Sequence, residues 1–325
     1  MWNIQAQNTD YLFMVEQAVK APSGHNTQPW LFKINRDNIE IRPNFEKSLP
    51  VVDSDNRELF ISLGCASENL CIAASSKGYN SKVSIANEGV ITIYLEKNEQ
   101  VKHDPLFEQI PIRQTNRSEY KKASIPADTL DILKKVPLEA GVNIYFYENG
   151  SEEFVAISDF VVKGNIAQMQ DKAFTDELKS WMRFNKKHSE KTNDGLSYAV
   201  FGAPNLPMFI VKPIMSGYLN DKKQNKGDVK KMQSSSHFVL FTTQSNTLEQ
   251  WINLGRAMER FLLKSTELKI AHAYLNQPNE IKELSVEMME FLQIAAYPTI
   301  LLRIGYGETL PYSKRKEIKE VIINE

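Results

Sequence analysis

The sequence predicts an α+β fold built as two similar modules in one chain, and three observations carry that expectation. Apolar residues recur at helical spacing in some stretches and alternate in others, with the two patterns interleaved along the chain. An eight-residue string, Ile61-Ser62-Leu63-Gly64-Cys65-Ala66-Ser67-Glu68, returns as Ile252-Asn253-Leu254-Gly255-Arg256-Ala257-Met258-Glu259 with five of the eight positions identical. Polar residues and prolines over 102–111 separate the two patterns, which sets module one at 1–105 and module two at 106–325.

Tyr11, Met14, Val15, Ala18 and Val19 share a helical face, and Pro22 and Gly24 end that helix. Pro29 pushes Gln28 toward extended backbone, after which Trp30, Phe32 and Ile34 alternate as the inward face of a strand. Further strands are expected over 39–42, 82–85 and 90–95, with a helix over 58–77 among them. In module two a helix over 127–135 and a strand over 142–147 precede helices within 151–183 and a strand over 237–242. The helix carrying the second copy of the repeat, a further helix and a strand over 299–304 complete it. Both copies keep a glycine inside the helix. Since an interior glycine costs about 1 kcal/mol relative to alanine, its presence in both implies two helices in close backbone contact. Residues 221–231, DKKQNKGDVKK, read as a mobile charged loop, and 198–211, interrupted by Pro204 and Pro207, as a buried or lid-like loop.

The 325 residues, 42% hydrophobic and 24% charged, suffice for a sizeable core. A formal net charge of -1 creates no field that would draw nucleic acid or an anionic membrane. The N-terminus lacks the basic start and apolar core of a secretory signal, so a cytoplasmic protein is expected. Cys65 and Cys71 fit no metal-ligand spacing and read as reduced core residues.

Common catalytic patterns are missing: no GxGxxG after a strand, no phosphate-binding GxxxxGK[ST] loop, no HExxH, no GxSxG. Gly305-Tyr306-Gly307 reads as a turn. His103, His188, His237 and His272 have no partner pattern and read as structural. Three segments remain. The stretch APSGHNTQPW, from Ala21 to Trp30, combines a helix stop and a tight turn with the amides of Asn26 and Gln28, which match the alternating donor and acceptor edge of a flavin or nucleobase. A polar loop without a ligand is the alternative. Arg113-Gln114-Thr115-Asn116-Arg117 presents two guanidinium forks and a hydroxyl, either a phosphate seat or a basic surface run. Lys314-Arg315-Lys316 is a second basic cluster or a solvated tail.

Together, APSGHNTQPW, RQTNR, the glycine-bearing helix and a C-terminal IGYG followed by KRK resemble the FMN-dependent nitroreductase superfamily, in the order and spacing of its two-module Acg-type branch. The resemblance implies a nitroreductase-like fold in which the two modules form an intramolecular dimer, with one FMN per chain. It assigns Arg113, Thr115 and Arg315 to the FMN phosphate and Arg117 to N1 and O2 of the isoalloxazine. Pro22, Ser23, Gly24, His25, Asn26 and Gln28 approach the ring or ribityl chain from module one, and Asn276 and Gln277 stand where relatives have a turn facing flavin N5. The pseudo-symmetric second site is implied to be dead. Met1 to Asp10 carries no arginine, and Val136-Pro137-Leu138-Glu139-Ala140-Gly141 lacks the proline, serine and asparagine of the loop.

The resemblance implies an oxidoreductase that takes hydride from NAD(P)H through FMN and reduces a small-molecule acceptor, a nitro compound, quinone or similar. No nucleic acid, membrane or metal partner is implied, and the chain is expected to be a monomer unless it associates further. The Acg branch also implies a different reading, a flavin-sequestering protein with little turnover, lidded by 201–207 or 181–191. A flavin-free interaction protein is the third reading.

Overall fold

The computed structural model describes residues 4–211, 213 and 220–324, with the side chains of 4–8 set aside. The arginine-free start, Met1 to Asp10, therefore falls partly outside the described residues.

Helix α1 (Ile4–Ala18) buries Tyr11, Met14, Val15 and Ala18, the face expected from their spacing. After the turn at 24–26 comes β1 (Trp30–Ile34), where Trp30 and Phe32 are fully buried while Leu31 and Lys33 are only half-buried. Then follow β2 (Asn38–Pro43), α2 (Arg57–Ser76), β3 (Tyr79–Ile85) and β4 (Ile91–Lys97). Asp53 starts α2 by accepting the backbone N–H groups of Glu58 and Leu59, both at 2.9 Å, which satisfies two of the free donors of the first turn. The second half runs through α3 (Ala127–Lys134), β5 (Val142–Glu148), α4 (Glu152–Gln170) and α5 (Lys172–Trp181), with Ser151 and Asp171 capping the last two. A short parallel pair, β6 (Met182–Arg183) and β7 (Leu196–Ser197), encloses α6 (Lys186–Thr192). Next come α7 (Asp221–Ser234), β8 (His237–Thr243), α8 (Leu248–Glu267), β9 (Ala271–Tyr274), α9 (Lys282–Phe291), β10 (Tyr297–Gly305) and β11 (Ile322–Ile323).

Two main sheets result. One has the order β11-β1-β2-β4-β3, the other β5-β8-β10-β9. In the first, β11 arrives from the far end of the chain and lies parallel to β1, with Phe32 opposite Ile322. The tail is thus a strand and not a solvated end. Two residues of strand after a polar stretch leave no periodicity to read, and β9, four residues long, is hidden in the sequence pattern for the same reason.

The two glycine-bearing helices, α2 and α8, form the centre. A Cβ on Gly64 would lie 2.2 Å from the carbonyl oxygen of Ile252, and one on Gly255 would lie 2.1 Å from that of Ile61. Ile61 and Ile252 hold equivalent places in the repeat, so the contact is reciprocal, and only glycine fits on either side. Cys65 adds an Sγ hydrogen bond to the Gly255 carbonyl at 3.2 Å. Cys65 is buried, Cys71 half-buried, and both are free thiols. Among the described helices α2 alone is long and apolar enough to cross a membrane, and it is a core helix, 83% buried. One hydrophobic core runs through both halves, joining Trp30, Phe32 and Leu63 to Phe241, Leu254 and Phe261. A smaller core lies under α4, α7 and α9, where Phe154 and Phe238 stack at 3.8 Å.

Two expectations need correction. The charged stretch 221–231 is helix α7, capped by Asn220 and extended to Ser234. Its few inward residues decide the matter: Met232 is buried, Val229 packs against the smaller core, and Asp228 accepts from Asn165 at 3.2 Å and from Gln224 at 2.9 Å. Of the two readings of residues 198–211, buried or lid-like, the buried loop is the one that fails. They form a turn and a surface flap in which Phe201, Leu206, Met208 and Phe209 are exposed, Phe209 by 79%, while Val200 and Val211 are buried.

Candidate functional site

The loop after α1 is held in an uncommon backbone. His25, Asn26 and Gln28 have φ of 48°, 57° and 55°, the left-handed region that costs most side chains energy, and such strain persists only where the surroundings enforce it. Gln28 thereby departs from the extended backbone that Pro29 favours. The surroundings here come from the other half of the chain. The Asn26 amide donates to the carbonyls of Gly195 and Lys314, both at 3.1 Å, and accepts from Arg315 Nη1 at 2.9 Å. Gln28 donates to the Asn193 carbonyl at 2.8 Å and accepts the Lys316 N–H at 2.9 Å. Ser23 Oγ accepts the Gln28 N–H at 3.0 Å, closing the turn.

Beside this loop opens a cavity of about 730 Å³ lined by residues of both halves, well within the size of a small-molecule or cofactor site. Pro22, Ser23, Gly24, His25 and Asn26 line it from the first half of the chain. Thr115, Arg117, Asn276, Gln277 and Arg315 line it from the second, with Arg315 against Asn26. The RQTNR segment reaches it because Thr115 bridges in parallel to His272 beside β9, with the Asn116 N–H bonded to the His272 carbonyl at 2.8 Å. The 276–279 turn is brought close by Gly164 of α4, whose missing Cβ would meet the Gln277 Cβ at 2.8 Å. Thus ten of the twelve residues singled out in the sequence converge on one space.

Two do not line it. Gln28 spends its amide on the second half of the chain and positions the tail. Arg113 stands behind the wall, its Nε 3.2 Å from Glu259 Oε1 without hydrogen-bond alignment and its Nη2 donating to the Lys20 carbonyl at 2.8 Å. Arg315 donates to the same carbonyl at 3.2 Å, so two guanidinium groups gather at the end of α1.

The electrostatics at this end are unbalanced. Burial and the neighbouring Arg113 pull Arg315 down to about 9, and its Nε is buried with no partner. Burial pushes Glu259 up to about 7, weakening the one nearby countercharge. An acceptor for the Arg315 Nε is what this donor set lacks, and an anionic oxygen is the acceptor that two adjacent guanidinium groups favour. Burial and Arg117 bring His25 down to about 4, and burial and Arg113 bring His272 to about 3, so both are neutral at physiological pH. Arg117 itself sits 5.6 Å from the Phe201 ring of the surface flap, near enough for a cation–π contact.

The structure adds residues that sequence reasoning did not find. Glu58 and Glu280 line the cavity beside Asn276. Glu58 reads in the sequence as an ordinary first-turn acid of a helix, and Glu280 as a loop residue. Met169, Phe174 and Leu178, from α4 and α5, form an apolar wall. Their helical spacing is indistinguishable from core packing.

No family model matches the chain. It is 24% identical over 324 residues, spanning 94% of this chain and 88% of theirs, to two Mycobacterium tuberculosis proteins, "Putative NAD(P)H nitroreductase MT3217" of strain CDC 1551 and "Putative NAD(P)H nitroreductase Rv3131" of strain H37Rv. Among solved structures it is similar to the FMN and NADPH-dependent nitroreductase NfnB from Sphingopyxis sp. strain HMH, at 13% identity and a TM-score of 0.45 over 68% of this chain and 99% of that one. It is also similar to the FMN-dependent nitroreductase NfnB from Mycobacterium smegmatis, at 11% identity and a TM-score of 0.42 over 66% and 94%. By sequence, along nearly its whole length, the chain is similar to proteins named as NAD(P)H nitroreductases.

Proposed function

We propose that the chain is an FMN-dependent NAD(P)H oxidoreductase of the nitroreductase type, which takes hydride from NAD(P)H and reduces a nitro compound, quinone or similar acceptor. One observation carries this reading: a cavity between the two halves whose cationic end holds an unpartnered buried Arg315 Nε, beside a strained amide loop. The full-length likeness to proteins named as NAD(P)H nitroreductases supports it. The reciprocal Gly64 and Gly255 contact and the return of β11 to the first sheet support two pseudo-symmetric modules, 1–105 and 106–325, joined as an intramolecular dimer of the Acg type with one FMN per chain.

FMN, when bound, supplies the hydride chemistry, so the protein needs no nucleophile of its own. Arg315 and Thr115 would hold the phosphate, and Arg113 adds positive charge from behind the wall. Arg117 would stabilise negative charge on the ring at N1 and O2. Ser23, Gly24 and Asn26 would contact the ring or ribityl chain, with Pro22 and His25 beside them, and Asn276 and Gln277 would border its other edge. The apolar wall of Met169, Phe174 and Leu178 keeps water from that side of the cavity.

A second reading, flavin binding with little turnover, is favoured by the flap: Phe201, Ala203 and Pro204 line the cavity, and Phe201 rests on Arg117. Steady-state NAD(P)H consumption by FMN-loaded protein with a panel of nitroaromatic and quinone acceptors separates the two. Turnover that saturates with acceptor is expected for the oxidoreductase, and a flat trace across the panel favours the lidded store.

A further inference from the structure

The cavity wall holds two carboxyl groups that the FMN assignment leaves without a task. Glu58, in the first turn of α2, and Glu280, just beyond the 276–279 turn, both line the cavity and stand close enough for each to act on the other's ionisation. An amide holds each from its outer side: Asn276 Nδ2 donates to Glu58, and Gln168 Nε2 donates to Glu280 at 2.5 Å. Each amide satisfies one carboxyl and supplies no transferable proton, so a hydrogen bond between the two carboxyls has to use a proton of their own. The pair also borders the flavin loop, since Glu58 Oε2 lies 3.2 Å from the place a Cβ on Gly24 would occupy.

The charges around the pair favour keeping that proton. Against this, the Arg57 charge lowers both carboxyls while its Nη2 donates to the Asn279 carbonyl at 2.8 Å, and Lys223 of α7 lines the same cavity. Asp53 lies behind both carboxyls, with Asp55 next to it. Burial and the charge of Glu280 raise Glu58 to about 8, and burial raises Glu280 as well. Two carboxyls in contact disfavour the second ionisation, so burial and mutual repulsion together hold the second proton to higher pH.

We propose that the Glu58–Glu280 pair is the proton donor to the acceptor while it is being reduced in this cavity. The inference rests on the oxidoreductase reading above. For a quinone the balance is simple: the hydride from the reduced flavin brings two electrons and one proton, and the pair supplies the second proton. An O–H bond of the pair breaks and an O–H bond forms on the quinone oxygen, giving the hydroquinone and a doubly ionised pair, which solvent reprotonates.

Two measurements test it. In FMN-free protein, the infrared spectrum of the wild type minus that of E58Q at pH 7 should contain a protonated carboxyl band, over and above those of Asp53 and Glu259 that both proteins share; no band in that difference overturns the proposal independently of any flavin. In FMN-loaded, anaerobically reduced protein, reoxidation is timed with a quinone, which needs a proton, and with ferricyanide, which takes electrons alone. The quinone-to-ferricyanide rate ratio should fall roughly 100-fold in E58Q and in E280Q, and in the wild type the quinone rate should decline above a pH of about 8, where Glu58 ionises. An unchanged ratio with the band present overturns the donor role alone. A protein that takes up no FMN overturns the oxidoreductase reading, and the donor role with it.

Discussion

Arg315 shows how much of the site is decided by single side chains. Buried, beside Arg113, and with a free Nε, it is the group whose environment an anion would change most. Arg315→Ala should weaken FMN by about 1.5–3 kcal/mol, the worth of a charged hydrogen bond. Because Arg315 also holds Asn26 at 2.9 Å, the informative quantity is the ratio of FMN to riboflavin affinity from fluorescence titration. That ratio should fall, since riboflavin has no phosphate, and equal losses for both ligands would show that the arginine only braces the loop. Residues of this kind were legible in the sequence because amides, hydroxyls and arginines near a helix stop and a turn have a chemistry that spacing preserves. Glu58 and Glu280 were not, because 222 residues of chain separate them and neither sits in a local pattern. Gln28 and Arg113 show the converse, residues of suitable chemistry that folding places behind the wall instead of in it.

At the scale of elements, the α2–α8 contact makes the sharpest demand. In an exposed helix, Gly→Ala stabilises by about 1 kcal/mol. Here a Cβ would meet a carbonyl oxygen at 2.1–2.2 Å, so both Gly64→Ala and Gly255→Ala should destabilise, by about 1–3 kcal/mol or more, through overpacking. Chemical denaturation of the two variants measures this, and a gain in stability from either would contradict the close approach. The repeat itself announced this contact, because an interior glycine kept twice is costly unless something needs the space. Strands β1 to β5 were legible from apolar alternation and β8 and β10 as short apolar runs buried on both faces, with ends shifted by up to a few residues. Helix α7 was hidden because ten of its first eleven residues are polar or glycine and only Val229 and Met232 reach the core, and β9 and β11 because two to four residues carry no period.

For the whole molecule, the halves are bound together by one core, by the tail strand β11, and by buried ion pairs such as that of Glu68 with Arg256 at 3.1 Å. The buried carboxyls add a pH signature. Asp53 and Glu259 are raised to about 7 and Glu58 to about 8, from ordinary values of 3.8 and 4.5, chiefly by burial. The folded state therefore holds protons that the unfolded chain has already released, and stability is lost as pH rises toward 8. Between 7.5 and 8 the histidines do not obscure this, since His25, His188, His237 and His272 are all lowered by folding and an unfolded histidine is itself mostly neutral at that pH. The Tm of the FMN-free protein should drop across that interval, less so in Glu58→Gln, and a rising Tm would contradict the buried-carboxyl assignment. The central claim, that the cavity between the halves holds a flavin that turns over, is tested most directly by adding NADPH anaerobically to FMN-loaded protein and following the yellow flavin absorbance. Bleaching within the mixing time, restored by a quinone, is the expected result, and a flavin that stays bound and oxidised would contradict it.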